Sequence, residues 1–264
     1  MDRDAIGIFD SGVGGLTVMH ELVGVLPAES FIYLGDTGRY PYGNKSPETV
    51  TRYSLENASF LVEKGIKLLV VACNAASSVA LDALRAECRV PVVGVIEPGA
   101  KAAAASTGSG RVGVIGTEVT IASGAYTRAL KRLRPKLEIY TRACPLFVPL
   151  AEEGWTDNEV AHATIALYLG SLQRSGIDTL ILGCTHYPLL KRAIADFLGN
   201  GVRLVDSAEE TAQEVRETLK ERGQLRRRGR GATSFFVTDV PDRFIKVGRR
   251  FLGERVESAV RIER

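Results

Sequence analysis

The stretch LVVACNAASS, residues 69–78, decides the fold of this 264-residue chain. An aliphatic run ends at a cysteine and an asparagine, and small residues suited to a helix follow. A run this apolar suits a strand buried on both faces, as in a parallel sheet. The turn after it brings Cys73 and Asn74 to the strand's carboxyl end. The chain does nearly the same again at LILGCTHYPLL, residues 180–190, where Cys184, Thr185 and His186 follow the run.

Similar short runs extend outward from these two: AIGIFD (5–10), SFIYLGD (30–36), VPVVGVI (90–96), RVGVIGT (111–117) and VRLVD (202–206). Segments with helical spacing lie between most of them. SPETVTRYSLENASFLVEKG (46–65) is one, and its Ser-Pro-Glu start is a helix cap. Strands alternating with helices predict an α/β fold with mainly parallel sheets flanked by helices. Ligands of such sheets sit outside the carboxyl ends of the strands.

The pattern also repeats. IGIFDSGVGG from Ile6 matches VGVIGTEVTI from Val112 at an offset of 106 residues, and Cys73 matches Cys184 at an offset of 111. Two such offsets predict two pseudo-symmetric lobes. Residues 208–264 read as helix, strand (TSFFVTD) and helix and complete the first lobe, so its expected extent is 1–97 plus 208–264. The second lobe is expected over 98–207, after helical alanines and a turn in GAKAAAASTGSG (99–110).

Composition narrows the class. With 45% hydrophobic and 25% charged residues the chain is that of an ordinary soluble globular protein. Its apolar runs are too short to span a bilayer, and the acidic MDRDAIGIFD is no signal peptide, so a cytoplasmic location with no membrane partner is expected. Four cysteines without a CxxC pair suit reduced thiols. Residues 215–264 hold 14 Lys+Arg against 7 Asp+Glu. The basic run RRRGRG (226–231) reads as a solvated loop because no aromatic residues interleave with it; no nucleic-acid partner is expected.

The strand ends carry the chemistry. DSGVGG (10–15) offers a carboxylate, a hydroxyl and backbone N–H groups to an anion. Its spacing departs from the GxGxxG of a dinucleotide site, although Asp36 could serve as the ribose-binding acid. GDTGRYPYGNKS (35–46) is a turn-rich loop suited to covering a small ligand. Cys73 begins a strand-to-helix turn, where a helix N-terminus is expected to lower the thiol pKa. Cys88 and Cys144 read as small hydrophobes. A metal site would need further ligands, and the other histidines, His20 and His162, sit inside helical patterns. Cysteine–histidine hydrolysis would leave Cys73 unexplained. Two thiols facing a small anionic ligand suit proton removal from one face of a carbon and return to the other. Among the nine lysines only Lys45 falls in these motifs, so no pyridoxal-type or other cofactor is expected.

Taken together, GIFDSGVGGLTV, YLGDTGRYPYGNKS, ACNAAS, VGVIGTEVTIASGAY and LGCTHYPLL resemble the glutamate racemases of the aspartate/glutamate racemase superfamily, in order and over residues 7–190. The resemblance implies two α/β lobes with the active site at their interface and cofactor-independent interconversion of L- and D-glutamate for peptidoglycan synthesis. It implies Cys73 and Cys184 as the two proton carriers, assisted by Asp10 and His186, with Glu152 supporting His186. Substrate contacts are implied at Asp10, Ser11, Tyr42, Gly43, Asn74, Ala75, Thr117, Thr120, Thr185 and His186. Ala75 departs from the threonine usual in the family, which removes a hydroxyl and keeps a backbone N–H. A sister racemase acting on aspartate or a hydantoin is the nearest enzyme alternative, and a non-catalytic binding or regulatory protein the alternative from another class. The resemblance also leaves room for a homodimer.

Overall fold

The computed structural model describes residues 4–263. Residues 1–3 and 264, the outer ends of the expected first lobe and the start of the stretch read as no signal peptide, lie outside the described residues.

Among the described residues, ten strands form two sheets. They are β1 (Ala5–Asp10), β2 (Phe31–Gly35), β3 (Ile66–Val71), β4 (Val92–Gly94), β5 (Arg111–Gly116), β6 (Glu138–Ala143), β7 (Thr179–Gly183), β8 (Arg203–Asp206), β9 (Thr233–Val237) and β10 (Val260–Arg261). The first sheet has the order β10-β9-β2-β1-β3-β4 and the second β6-β5-β7-β8, and every pairing is parallel. The chain leaves the first sheet after β4 and returns to it at β9.

The repeat in the sequence is a repeat in the sheets. The order β2-β1-β3-β4 recurs as β6-β5-β7-β8. The register recurs too: Phe9 lies opposite Val71 in the first sheet, and Ile115, 106 residues on, lies opposite Leu182, 111 residues on, in the second. Cys73 and Cys184 therefore emerge from equivalent strand ends.

Both faces of each sheet are covered. Ile6, Ile8, Leu68 and Val70 belong to one apolar cluster, while Ala5, Phe9, Leu69 and Val71 belong to another on the opposite face. In the second sheet Leu180 and Leu182 face one cluster and Ile181 the other. This double burial explains the near-continuous aliphatic runs. Helix Pro47–Glu63 starts as expected, with Ser46 accepting from the Thr49 backbone N–H at 3.2 Å. Strands β6 and β10 are additions to the sequence reading. EIYTRA in β6 lies at a sheet edge with no buried residue, and β10 has two exposed residues, so neither carries an apolar run. Among the described residues, no helix is long and apolar enough to cross a membrane.

Candidate active site

The carboxyl ends of the two sheets face each other. Strand β1 delivers Asp10 and Ser11, β3 delivers Cys73 and Asn74, β5 delivers Thr117 and Thr120, and β7 delivers Cys184, Thr185 and His186. The loop after β2 adds Tyr40, Tyr42 and Gly43. These elements enclose a cavity of about 30 Å³ lined by Ser11, Tyr40, Pro41, Tyr42, Gly43, Cys73, Asn74, Ala75, Thr117, Thr120, Val148, Cys184, Thr185 and His186. Tyr40 also lines a neighbouring cleft of about 290 Å³, with Gly12, Glu152 and Arg243 on its walls. A larger cavity, about 550 Å³, is lined by Ser77, Arg85, Glu97 and Arg128 among others and contains neither strand-end cysteine. The smaller cavity is where reactive groups converge.

Eleven of the thirteen residues singled out from the sequence line that cavity; Asp10 and Glu152 do not. Asp10 is fully buried, with Oδ2 accepting from the Gly12 N–H at 2.9 Å and Oδ1 without a hydrogen-bond partner among the described residues. Burial raises its pKa, against the opposing pull of His186.

The Cys73 thiol faces Ser11 Oγ at 3.7 Å. Its expected depressed pKa is corrected by the structure. Burial first, then the Asp10 carboxylate, push the thiol up to about 12, outweighing contacts from the Ala76 backbone and Ser11. Cys73 does cap a helix, but Asn74–Val79 has only six residues and exerts a correspondingly small pull.

The Cys184 half differs. His186 Nδ1 lies 4.0 Å from Cys184 Sγ, and its Nε2 lies 3.2 Å from Glu152 Oε1. Burial alone would lower the imidazole pKa; hydrogen bonds with Cys184 and Glu152 overcome it and raise the value to about 10. Burial pulls Glu152 upward, but its bonds to His186 and Tyr40 leave the pKa lowered overall. An imidazolium thus stands beside one sulfur, and a carboxyl group beside the other.

The remaining lining is neutral. Thr117 and Thr120 hydroxyls are 3.1 Å apart, and Asn74 Oδ1 accepts from the Tyr126 phenol at 2.7 Å. Asn74 Nδ2 is buried with no partner among the described residues. Such hydroxyl, amide and backbone donors can hold carboxylates without an Arg or Lys. The lobes touch closely here: a Cβ on Gly14 would lie 2.3 Å from Thr185 Oγ1 and 2.5 Å from the His186 ring. The covering loop is anchored by buried Asp36, which accepts from Arg39 Nε at 2.8 Å, from Thr238 Oγ1 at 2.9 Å and from the Tyr42 hydroxyl.

Sequence reasoning missed Tyr40, Val148 and Tyr126. Tyr40 sits over His186 with ring centroids 6.3 Å apart, and its pKa is raised by burial and by Glu152. Its place within GRYPYGN, an aromatic in a Gly- and Pro-rich loop, was the available signal.

Known proteins match this arrangement. A glutamate racemase of Geobacter metallireducens is 65% identical over 257 residues, covering 97% of this chain and 95% of that one. The crystal structure of a Bacillus anthracis glutamate racemase superposes with a TM-score of 0.96 at 41% identity, covering 100% of this chain and 98% of that one. A Francisella tularensis glutamate racemase solved with D-glutamate gives a TM-score of 0.93 at 35% identity, covering 100% and 98%. The Asp/Glu/Hydantoin racemase family model matches residues 6–215, and with these strand-end cysteines, these two sheets and these relatives the chain belongs to that family.

Proposed function

We propose that this chain interconverts L- and D-glutamate by a two-thiol mechanism without a cofactor, supplying D-glutamate for peptidoglycan synthesis in the cytoplasm. One observation carries the reading: Cys73 and Cys184 leave equivalent strand ends of two sheets and line one buried cavity. Neither is in a disulfide. The lobes are taken as residues 1–97 plus 208–264 and residues 98–207, with the site between them.

Each sulfur serves one face of the substrate's α-carbon. A thiolate takes the α-proton as the Cα–H bond breaks, leaving the electron pair on a planar carbanion. The opposite thiol gives its proton to the other face and becomes the thiolate. Atoms and charges balance: the substrate's α-proton ends on the first sulfur, and the second sulfur's proton ends on the α-carbon. Chirality at the α-carbon is inverted.

The two halves are not equivalent at rest. The His186 imidazolium stands beside Cys184, whereas burial and Asp10 keep Cys73 protonated. Proton donation from Cys73 belongs to the direction that the family assigns to L-glutamate. For the reverse direction the substrate's ammonium, bound near Asp10, supplies the positive charge that the Cys73 side lacks. Ser11, Asn74, Thr117 and Thr185 are assigned to substrate binding with Tyr42, Gly43, Ala75 and Thr120; Asp10, His186 and Glu152 assist the thiols. Closure over the cavity excludes water and strengthens each contact. A homodimer would draw on exposed apolar surface such as Leu146, Trp155 and Leu167.

Polarimetry or circular dichroism on purified protein with L- and D-glutamate, no cofactor added, tests the reading. Both enantiomers should converge on the racemate. Conversion of aspartate in preference to glutamate would assign the sister activity, and binding without conversion would reject catalysis.

A further inference from the structure

Tyr126 touches both halves of the site without lining it. It lies in helix Ala125–Leu133 of the second-sheet region, is 2% exposed, and its hydroxyl donates to Asn74 Oδ1 at 2.7 Å across the lobe interface. Its ring rests on the residue before Cys184. A Cβ on Gly183 would lie 2.5 Å from the Ile115 carbonyl oxygen and 3.0 Å from Tyr126 Cε2, so the glycine lets strand and ring approach closely. One side chain therefore spans from the residue preceding one candidate base to the residue following the other.

The hydrogen bonds give this contact a direction. An asparagine amide has an accepting and a donating end, and a flip exchanges them. The phenol donates to Asn74 Oδ1, and its burial pushes its pKa up and keeps it a proton donor. What remains is Nδ2, a buried donor with no partner among the described residues, on a residue that lines the cavity. A buried donor left unpaired costs about 1–3 kcal/mol, so its retention points to a ligand acceptor.

We infer that Tyr126 is a positioning residue: its phenol locks the Asn74 amide in the orientation that presents Nδ2 to a substrate carboxylate. The inference rests on the racemase reading of the site. In the opposite orientation Oδ1 would face the carboxylate, and attraction would become repulsion. Buried tyrosine hydroxyls commonly find a partner for their own sake. Here the partner is a site residue whose other end has no partner among the described residues.

Tyr126→Phe, Asn74→Ala and the double variant form a cycle that separates these roles. Tyr126→Phe keeps the ring on Gly183 and removes only the hydroxyl. We expect its kcat/KM for glutamate to fall about tenfold, a typical loss for one such bond. In the Asn74→Ala background the same change should cost less than about twofold, because the group it acts through is gone. A structural role would instead add its full loss in both backgrounds, and that result, or an unchanged kcat/KM in Tyr126→Phe, overturns the inference. Should Tyr126→Phe unfold, Tyr126→Leu gives a second route, with a loss in kcat/KM that Asn74→Ala should also absorb. An NMR readout is independent of turnover: the Asn74 side-chain amide pair, assigned by its absence in Asn74→Ala, should move in Tyr126→Phe. An unmoved pair overturns the inference even in an inactive protein, whereas an inactive wild type rejects the racemase reading alone.

Discussion

His186 is paired with Glu152 through Nε2 and Oε1 at 3.2 Å, which leaves Nδ1 turned toward Cys184 Sγ. A carboxylate on the far nitrogen fixes the orientation of an imidazole and favours its charged form. Glu152 is itself held from the other lobe. Arg243, on helix Pro241–Leu252, reaches Glu152 Oε2 at 3.4 Å, and Arg250 donates to the Glu152 backbone carbonyl. The charge beside Cys184 thus depends on both lobes being together.

That pairing has a consequence for stability. The folded-state pKa of His186, about 10, lies above its ordinary 6.5, so the native state holds this proton more tightly than the unfolded chain does. The contribution is complete below pH 6.5 and is lost as pH rises through 10, at up to ~1.4 kcal/mol per pH unit. Cys73 acts in the same sense from its ordinary 9 up to about 12. Urea unfolding of the ligand-free protein between pH 6.5 and 9 should show falling stability, and His186→Gln should flatten the slope. Equal slopes in the two proteins would refute the assignment.

Asp36 should support both stability and substrate binding. Its carboxylate is fully buried and accepts from Arg39, Tyr42 and Thr238, so Asp36→Asn removes the charge that Arg39 is paired with. Breaking a buried pair on one side costs roughly 3–5 kcal/mol. Arg39 keeps Glu56 and is 19% exposed, which places the expected loss toward the lower end. The loop carrying Tyr40, Tyr42 and Gly43 would loosen, and KM should rise more than kcat falls. Paired unfolding and steady-state measurements decide it; a stable variant with wild-type KM counts against the anchor.

The sheets were legible because double burial writes itself as aliphatic runs, of which LVVAC and LILGC are the clearest. Strand β6 was not legible, since EIYTRA has no buried residue to give it such a run. Most candidate site residues were readable because they stand at strand ends, a location fixed by sequence order. Tyr126 was not, because its role depends on a bond to Asn74, 52 positions away, across the lobe interface. The ionisation of Cys73 was misjudged for a related reason. A helix start is visible in sequence, whereas the burial and Asp10 proximity that outweigh it arise only on folding.

Gly14 offers a probe of the closed interface. A methyl there would fall inside the contact distances of Thr185 and His186. Gly14→Ala should therefore displace His186 from Cys184 or hold the lobes apart. Overpacking of this kind costs about 1–3 kcal/mol, and misplacing catalytic groups by about an ångström can cost ~100-fold in rate. We expect kcat/KM to fall by at least tenfold while the fold persists. Thermal unfolding together with kinetics checks this, and a wild-type rate would show that the contact is not needed.

The two thiols should be separable by substrate handedness. Serine keeps the size and a hydroxyl, yet its alkoxide is not formed at useful population near neutral pH. Cys184→Ser and Cys73→Ser should each lower racemisation by roughly 10²–10⁴-fold, the usual worth of one general acid or base. Each variant keeps one competent base. With Cys73 intact, Cys184→Ser should still eliminate a leaving group from a D-configured glutamate analogue substituted at Cβ, because loss of the α-proton and departure of the leaving group need only one base. Cys73→Ser should prefer the L-configured analogue. Asn74 and Thr185 stay in place in both, so binding is retained and the loss falls on proton transfer. Elimination followed spectroscopically for each enantiomer gives the readout, with a thermal melt to confirm folding. Near-wild-type racemisation in either folded variant, or identical handedness in both, would be incompatible with two opposed thiols.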